Sequence, residues 1–272
     1  EMYKNNYSST NRTSQTATSG LYGSNYYVLT SEFKVYLCIN NGSDPENPKG
    51  KTSKFEPTHT STTVPAADNT ATGDGYQWKY LFTIAPADIV KFATTSYIPL
   101  PEKWGDVSTK SIKDAAVDGK LETIVIKRRG TATVDGVDGD ISGIPIIGDG
   151  TGGTATATVT NGVVSEIKLS NTNSSGYTYA HVRFVNGTWG GKKLVVGTLT
   201  DEPQFEVIIP PKGGHGADIY RELGAFRVMV YSKFDNNVND KTDYIVGNDF
   251  SRVGIVKDPT DLSGTSVLNK RT

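Results

Sequence analysis

The protein has 272 residues, with 28 Lys and Arg against 29 Asp and Glu and a formal net charge of -1. That balance removes the electrostatic case for nucleic acid or an anionic membrane as partner, and no apolar run nears the ~20 residues that a spanning helix needs. Cys38 is the only cysteine, which excludes an internal disulfide framework and a CxxC metal cage.

A prior of ~150 residues per domain suggests one or two domains, enough to bury a core without covalent staples. The chain opens on Glu1 rather than Met, which points to a piece of a longer protein. Residues 1–20 are polar and lack the apolar side chains to offset ordering, so they read as an N-terminal arm. NYYVLTSEFKVYLCINNG, residues 25–42, reads as a hairpin turning near Thr30, Ser31 and Glu32. Cys38 lies in its apolar second strand and is expected to be a buried, inert thiol. Residues 43–72 form a long Pro-, Ser- and Thr-rich loop, a kind that usually has a function or a partner.

Gly73-Asp74-Gly75 supplies turn chemistry. In the strand that follows, strict alternation places Tyr76, Trp78, Tyr80 and Phe82 on one face, opposite Gln77, Lys79, Leu81 and Thr83. If that aromatic face is core, Trp78→Ala should cost roughly 3–5 kcal/mol. Pro86 opens a short helix over 86–93 with Ile89, Val90, Phe92 and Ala93 as its apolar stripe, and IPLPEKWG leaves it as an extended segment.

Residues 115–185 are rich in Gly, Thr, Val and Ile and carry a weak repeat. DGKLETIVIKRRG and NGVVSEIKLSNTN each set a polar-Gly turn before alternating apolar residues, with Leu121, Ile124 and Ile126 matching Val164, Ile167 and Leu169. Asn161-Gly162 is a strong hairpin turn. This stretch reads as a small antiparallel unit whose edges need covering. ADIYREL reads as a short helix closed by Gly224. AFRVMVYSKF is a strand, and residues 243–259 read as a further strand pair.

Chemistry is sparse. Gly148-Asp149-Gly150-Thr151-Gly152-Gly153 lacks the phosphate-loop lysine and precedes a strand, so it reads as a hairpin turn. Gly213, Gly214, His215 and Gly216 would suit an anion nest or a positioned base, but with no acid, serine or cysteine in a recognised spacing they read as a tight connection. His59, His181 and His215 are not spaced as zinc ligands. Asp235, Asp240 and Asp243 lack the order of a calcium loop. The five NxS/T triplets, at Asn6, Asn11, Asn41, Asn173 and Asn186, read as loops. No catalytic, cofactor or metal site is expected.

The order GDGYQWKYLFTIAPAD, then a proline-rich exit ending in Trp104-Gly105, resembles the baseplate wedge subunit of T-even-like contractile-tailed phages, the eighth gene product type, in its marine or cyanophage-like version. The hairpin at 25–42 and the segments PKGGHGADIYRELGAFRVMV and GNDFSRVGIVKDP are similar to that family too. Gly73, Asp74, Gly75, Tyr76, Trp78, Tyr80, Leu81, Phe82 and Pro86 match its motif and are implied to be architectural. The resemblance implies a non-enzymatic virion protein of the tail baseplate, assembled in the host cytoplasm, homodimeric and bound to other wedge proteins. The expected fold is mainly β, a sandwich-like core with a few short helices. The expected division is an arm at 1–20, a discontinuous core at 21–112 and 204–272, and an inserted β-repeat domain at 113–203. A competing reading is a receptor- or glycan-binding tail module, with the Gly/Thr-rich unit and an exposed Trp189 as its surface. A hydrolase using His215 is the third.

Overall fold

A computed structural model describes residues 27–67, 73–94, 97–170, 173–198, 200–225 and 227–231, with the backbone of 255–257. The expected hairpin is present: β1 (Tyr27–Leu29) pairs antiparallel with β2 (Lys34–Asn41), which pairs with β3 (Tyr76–Thr83). The tight turn between β1 and β2 is closed by Phe33 N donating to Thr30 O at 3.0 Å.

Two bulges decide what β3 buries. Val35 lies opposite Phe82 and Tyr36 opposite Tyr80, so Leu81 is an extra residue on β3; between Cys38 and Asn40, Ile39 is the extra residue on β2. A bulge leaves one residue without a partner and re-aims its neighbours. Phe82 therefore joins Leu81 on the inner face, with Val35, Leu37 and Ile39. This corrects the strict alternation read from the sequence. Tyr76, Trp78 and Tyr80 keep the outer face and are only half-buried, while Gln77 and Lys79 are buried.

α1 (Pro86–Phe92) begins at its proline as expected, yet buries none of its residues. Ile89 packs partly on the core, but Val90 is 88% exposed, so the predicted apolar stripe is split. α2 (Lys110–Asp114), which the sequence reading missed, buries Ile112. The first core thus gathers Val35, Leu37, Ile39, Leu81, Phe82, Ile84, Trp104, Ile112 and Ile219.

A second core belongs to the middle of the chain. β4 (Thr123–Arg128), β5 (Ala132–Val134), β6 (Gly139–Gly148), β7 (Thr154–Thr160), β8 (Val163–Leu169), β9 (Ala180–Val182), β10 (Gly187–Trp189), β11 (Lys192–Val196) and β12 (Gln204–Ile208) all pair antiparallel, in the orders β8-β7-β6-β9, β10-β11-β5 and β12-β4. The two repeat copies are β4 and β8, and Leu121, Ile124, Val164 and Ile167 are buried in one cluster, with Ile126 and Leu169 packed on it. The β7–β8 turn has φ of 54° at Asn161 and 73° at Gly162, the left-handed pair a two-residue hairpin requires. β12, which the sequence reading grouped with the outer core, pairs with β4, and its Phe205 and Val207 pack on this second cluster.

α3 (Ile219–Glu222) is capped by Asp218, whose carboxylate accepts the N–H groups of Tyr220 and Arg221 at 3.1 Å each. Gly224, with φ of 65°, ends it. β13 (Arg227–Met229) pairs with β14 (Ile255–Lys257). The remainder of the predicted strand pair, the aspartate loop at 235–243 and the arm at 1–20 lie outside the described residues. The molecule is mainly β, with several sheets and few short helices.

Residues 51–61 cross the outer, aromatic face of the first sheet as an irregular strap, and 62–65 pass round to the inner-face side chains Lys79 and Gln77. Tyr36 Oη donates to His59 O at 2.6 Å, and Tyr76 Oη to Lys51 O at 2.9 Å. The two units are also tied by one surface arginine. Arg129 forks onto Glu46, with Nε to Oε1 at 2.8 Å and Nη2 to Oε2 at 2.9 Å, while its Nη1 reaches Val164 O and Ser165 O. The bond from Arg129 holds the Glu46 carboxyl below its ordinary value. Glu46 is largely exposed, so Glu46→Ala should cost no more than ~1 kcal/mol in urea unfolding. The difference should shrink in ~1 M salt, where exposed charges are screened within ~3 Å.

Candidate functional site

The motif residues build two connected pieces of architecture. The first is the turn before β3. Asp74 is buried, and its carboxylate accepts from Tyr76 N at 3.0 Å, Lys54 N at 2.8 Å and Ser53 Oγ at 3.4 Å. Burial pushes this carboxyl up, but the N–H groups of Lys54, Tyr76 and Phe55 outweigh it and hold it below the ordinary value. Gly73-Asp74-Gly75 therefore does more than turn the chain. It pins the start of the strap to the start of β3.

On the outer face Tyr76 stacks on Trp78, with centroids 5.3 Å apart and planes at 18°. Tyr36 meets Tyr80 and His59 edge-on, at 5.6 and 5.4 Å. Burial, then the charges of Tyr80, Glu32 and Glu56, push the Tyr36 hydroxyl up to about 12. Cys38 lies opposite Trp78 on this face, and burial together with the Asp74 charge pushes its thiol up to about 12. It is the inert buried cysteine the sequence suggested. Because Trp78 is half-buried, Trp78→Ala is now expected to cost ~1–2 kcal/mol, below the full core value. Chemical denaturation of the two proteins side by side measures it.

On the inner face two polar side chains are spent on holding neighbours. Lys79 donates its ammonium to Thr62 O, and burial lowers its pKa from the ordinary lysine value. Gln77 Nε2 donates to Pro65 O at 3.1 Å, while its Oε1 accepts from Thr123 Oγ1 of β4 at 2.7 Å. Gln77 thus links strap, β3 and the second unit.

The second piece is a junction between the motif segment and 212–223. Phe82 meets Trp104 edge-on at 6.4 Å. Trp104 is 8% exposed and donates Nε1–H to Gly216 O at 2.7 Å. Tyr220 Oη accepts Trp104 N–H at 3.1 Å and donates to Pro101 O at 2.6 Å. His215 is buried, with Nδ1 against Glu222 Oε1, and Glu222 Oε2 accepts Gly216 N–H at 2.8 Å. The acid that the sequence reading did not find is this Glu222, seven residues on. The Asp218-capped turn folds it back, a signal legible only once α3 is placed. At Gly214, φ is 88°, and a Cβ would lie 2.5 Å from Val117 O, so a side chain has neither the conformation nor the space. Pro86 stands at the first turn of α1.

The Gly148–Gly153 segment is a turn in the second unit. The Asp149 carboxylate accepts from Thr178 N and Oγ1 and from Tyr179 N, bonds that hold it down at about 2. The ring of Tyr177 fills the space over Gly150, and its hydroxyl together with Leu121 fills that over Gly153. Trp189 is half-buried rather than exposed. It packs on the second core, with Arg183 over its ring at 5.9 Å and its Nε1–H donated to Val185 O at 3.4 Å. The expectation of a free aromatic platform there is corrected. Among the described residues no three His, Cys, Asp or Glu side chains gather as a metal site.

These contacts define a class first: a β-rich module whose most distinctive residues hold segments of its own chain together. Residues 29–134, less than half of the chain, match the family model Phage-Gp8, described as Bacteriophage T4, Gp8. The match bears out the resemblance read from the Gly73–Pro86 motif, to a baseplate wedge protein, over that span. No curated protein and no solved structure matches the chain significantly.

Proposed function

We propose that this chain is a structural component of a phage tail baseplate wedge, holding neighbouring wedge proteins through a β-rich scaffold that pairs with a second copy of itself. The observation that carries the reading is the family match, which contains the whole Gly73–Pro86 motif. The geometry supports it. Asp74, Gln77, Lys79, Phe82 and Trp104 are all spent on internal ties, as a part that keeps its shape within an assembly requires. The role is non-enzymatic, and the place of action is the virion tail, after assembly in the host cytoplasm. The marine version of the family is the nearer pattern. The 113–203 unit is an insertion into the wedge core, and β12 serves as its closing strand.

The test is co-expression with candidate wedge proteins, followed by size-exclusion chromatography with light scattering across a concentration series. A stable dimer that enters a larger complex with wedge partners is expected. A protein that stays monomeric and joins no tail component would remove the reading.

A further inference from the structure

Three Asn-Gly pairs occur in the chain, at Asn41, Asn161 and Asn186. Asn-Gly is the pair at which a polypeptide most readily loses a side-chain amide, because glycine carries no Cβ to hinder its own nitrogen. In that reaction the glycine N–H gives its proton to a solvent base, the nitrogen attacks the asparagine Cγ, and ammonia leaves. The cyclic succinimide then takes up water and opens either to Asp or to isoaspartate, in which the backbone runs through the former side chain. Two freedoms are needed: a side-chain amide that can swing onto the nitrogen, and an N–H that can give up its proton.

At two of the pairs the side chain is tied. Asn41 Nδ2 donates to Lys49 O at 3.4 Å and lies against Gly50, while Gly42 N–H is donated to Asn40 Oδ1 at 2.9 Å. Asn186 Oδ1 accepts Val196 N–H at 2.7 Å, and Gly187 opens β10. At Asn161 the arrangement is reversed. Its side chain is exposed and makes no hydrogen bond among the described residues, and a Cβ at Gly162 would meet nothing within 4 Å. The backbone is what is held. Asp138 Oδ2 accepts Asn161 N–H at 2.6 Å, and Asp138 Oδ1 accepts Gly162 N–H at 2.9 Å. Gly162 O accepts Ala132 N–H at 2.9 Å, which fixes the far side of the turn to β5.

We propose that Asn161 is the site at which the folded protein deamidates, and that the Asp138 carboxylate sets the rate by holding the attacking Gly162 nitrogen. A hydrogen bond to a carboxylate is of the stronger, charge-assisted kind, and the negative charge opposes the amide anion that loss of the proton would leave. The untied side chain thus makes the site reactive, and the clamp on the nucleophile slows it. The product matters to the fold. It adds a negative charge to a turn already held by a carboxylate, and isoaspartate lengthens the backbone of the two-residue turn between Thr160 and Val163, which lie opposite each other. The β7–β8 register and the Thr131–Val163 bridge meet at that end.

The experiment is a time course of native protein in mildly alkaline buffer, read by peptide-mapping mass spectrometry that separates Asp from isoaspartate at each site. In the wild type Asn161 should convert several-fold faster than Asn41 or Asn186. That ranking should vanish in concentrated urea, where the three share a glycine neighbour and no fold. Asp138→Ala should speed Asn161 several-fold further and leave Asn41 and Asn186 at their wild-type rates, which also reports that the variant is folded. Asp138→Asn, which keeps an acceptor oxygen without the charge, should fall between. The wild-type ranking does not hang on either variant folding. Equal native rates at the three sites, the same ranking in urea, an unchanged Asn161 rate in Asp138→Ala, or a rise at all three sites together in both variants would each overturn the proposal. None of these outcomes bears on the wedge reading, which rests on assembly.

Discussion

Trp104→Ala is expected to destabilise the protein by about 3–5 kcal/mol, the usual cost of emptying a large aromatic core site. Three features set it at the upper end. The indole is buried in the first core, it meets Phe82 edge-on, and it donates its N–H to Gly216 O. Removing it leaves a cavity between the motif strand and 212–223 and deprives a buried carbonyl of its donor, a loss of about 1–3 kcal/mol by itself. Trp104→Phe separates the two contributions, since the ring stays and the donor goes. Urea unfolding should show Trp104→Phe falling between wild type and Trp104→Ala. A midpoint unchanged in Trp104→Ala would mean that the junction is not part of the cooperative core. The comparison with Trp78→Ala is internal to the experiment. Both are tryptophans of the motif region, yet only Trp104 lies in the inner core, so its loss should cost more than twice as much.

Glu222→Ala should be the second severe change, at about 2–5 kcal/mol, because it leaves two buried donors without their acceptor at about 1–3 kcal/mol each. The carboxylate answers both His215 and the Gly216 N–H, and all three are buried. Truncation strands two donors where water cannot easily replace the lost acceptor. His215→Ala with Glu222→Ala completes a double-mutant cycle. The double variant should be less damaged than the two single losses added together, because the partners are then removed at once. Additive losses would show that the two side chains act independently. His215 is enclosed in the core beside the Glu222 carboxylate, which also accepts the Gly216 N–H, in the same turn whose Gly216 O receives the Trp104 indole.

The two predictions converge on one physical statement. The motif that marks this chain as similar to a wedge protein is spent on internal cohesion. Asp74 gathers three strap and strand groups, Gln77 reaches β4, and Trp104 reaches Gly216. Such ties keep separate chain segments in one body.

The sequence by itself determined the β class, the hairpin at 25–42, the Asn161-Gly162 turn, the equivalence of Leu121 and Ile124 with Val164 and Ile167, the helix at Pro86 and the buried state of Cys38. Each of these rests on local rules of periodicity, turn chemistry and apolar runs. What only the tertiary structure decided is non-local. The bulges at Ile39 and Leu81 send Phe82 inward while Tyr76, Trp78 and Tyr80 stay outward. Strict alternation cannot show this, because a bulge depends on how two strands are paired across 34 intervening residues. The pairing of β12 with β4 and the contact of Glu222 with His215 are likewise set by which segments meet in space. Lys79 and Gln77 are polar side chains on the face opposite the aromatic residues of β3. They are buried because the strap and β4 bring acceptors and a donor to them, and that supply of hydrogen-bond partners is a property of the folded chain alone.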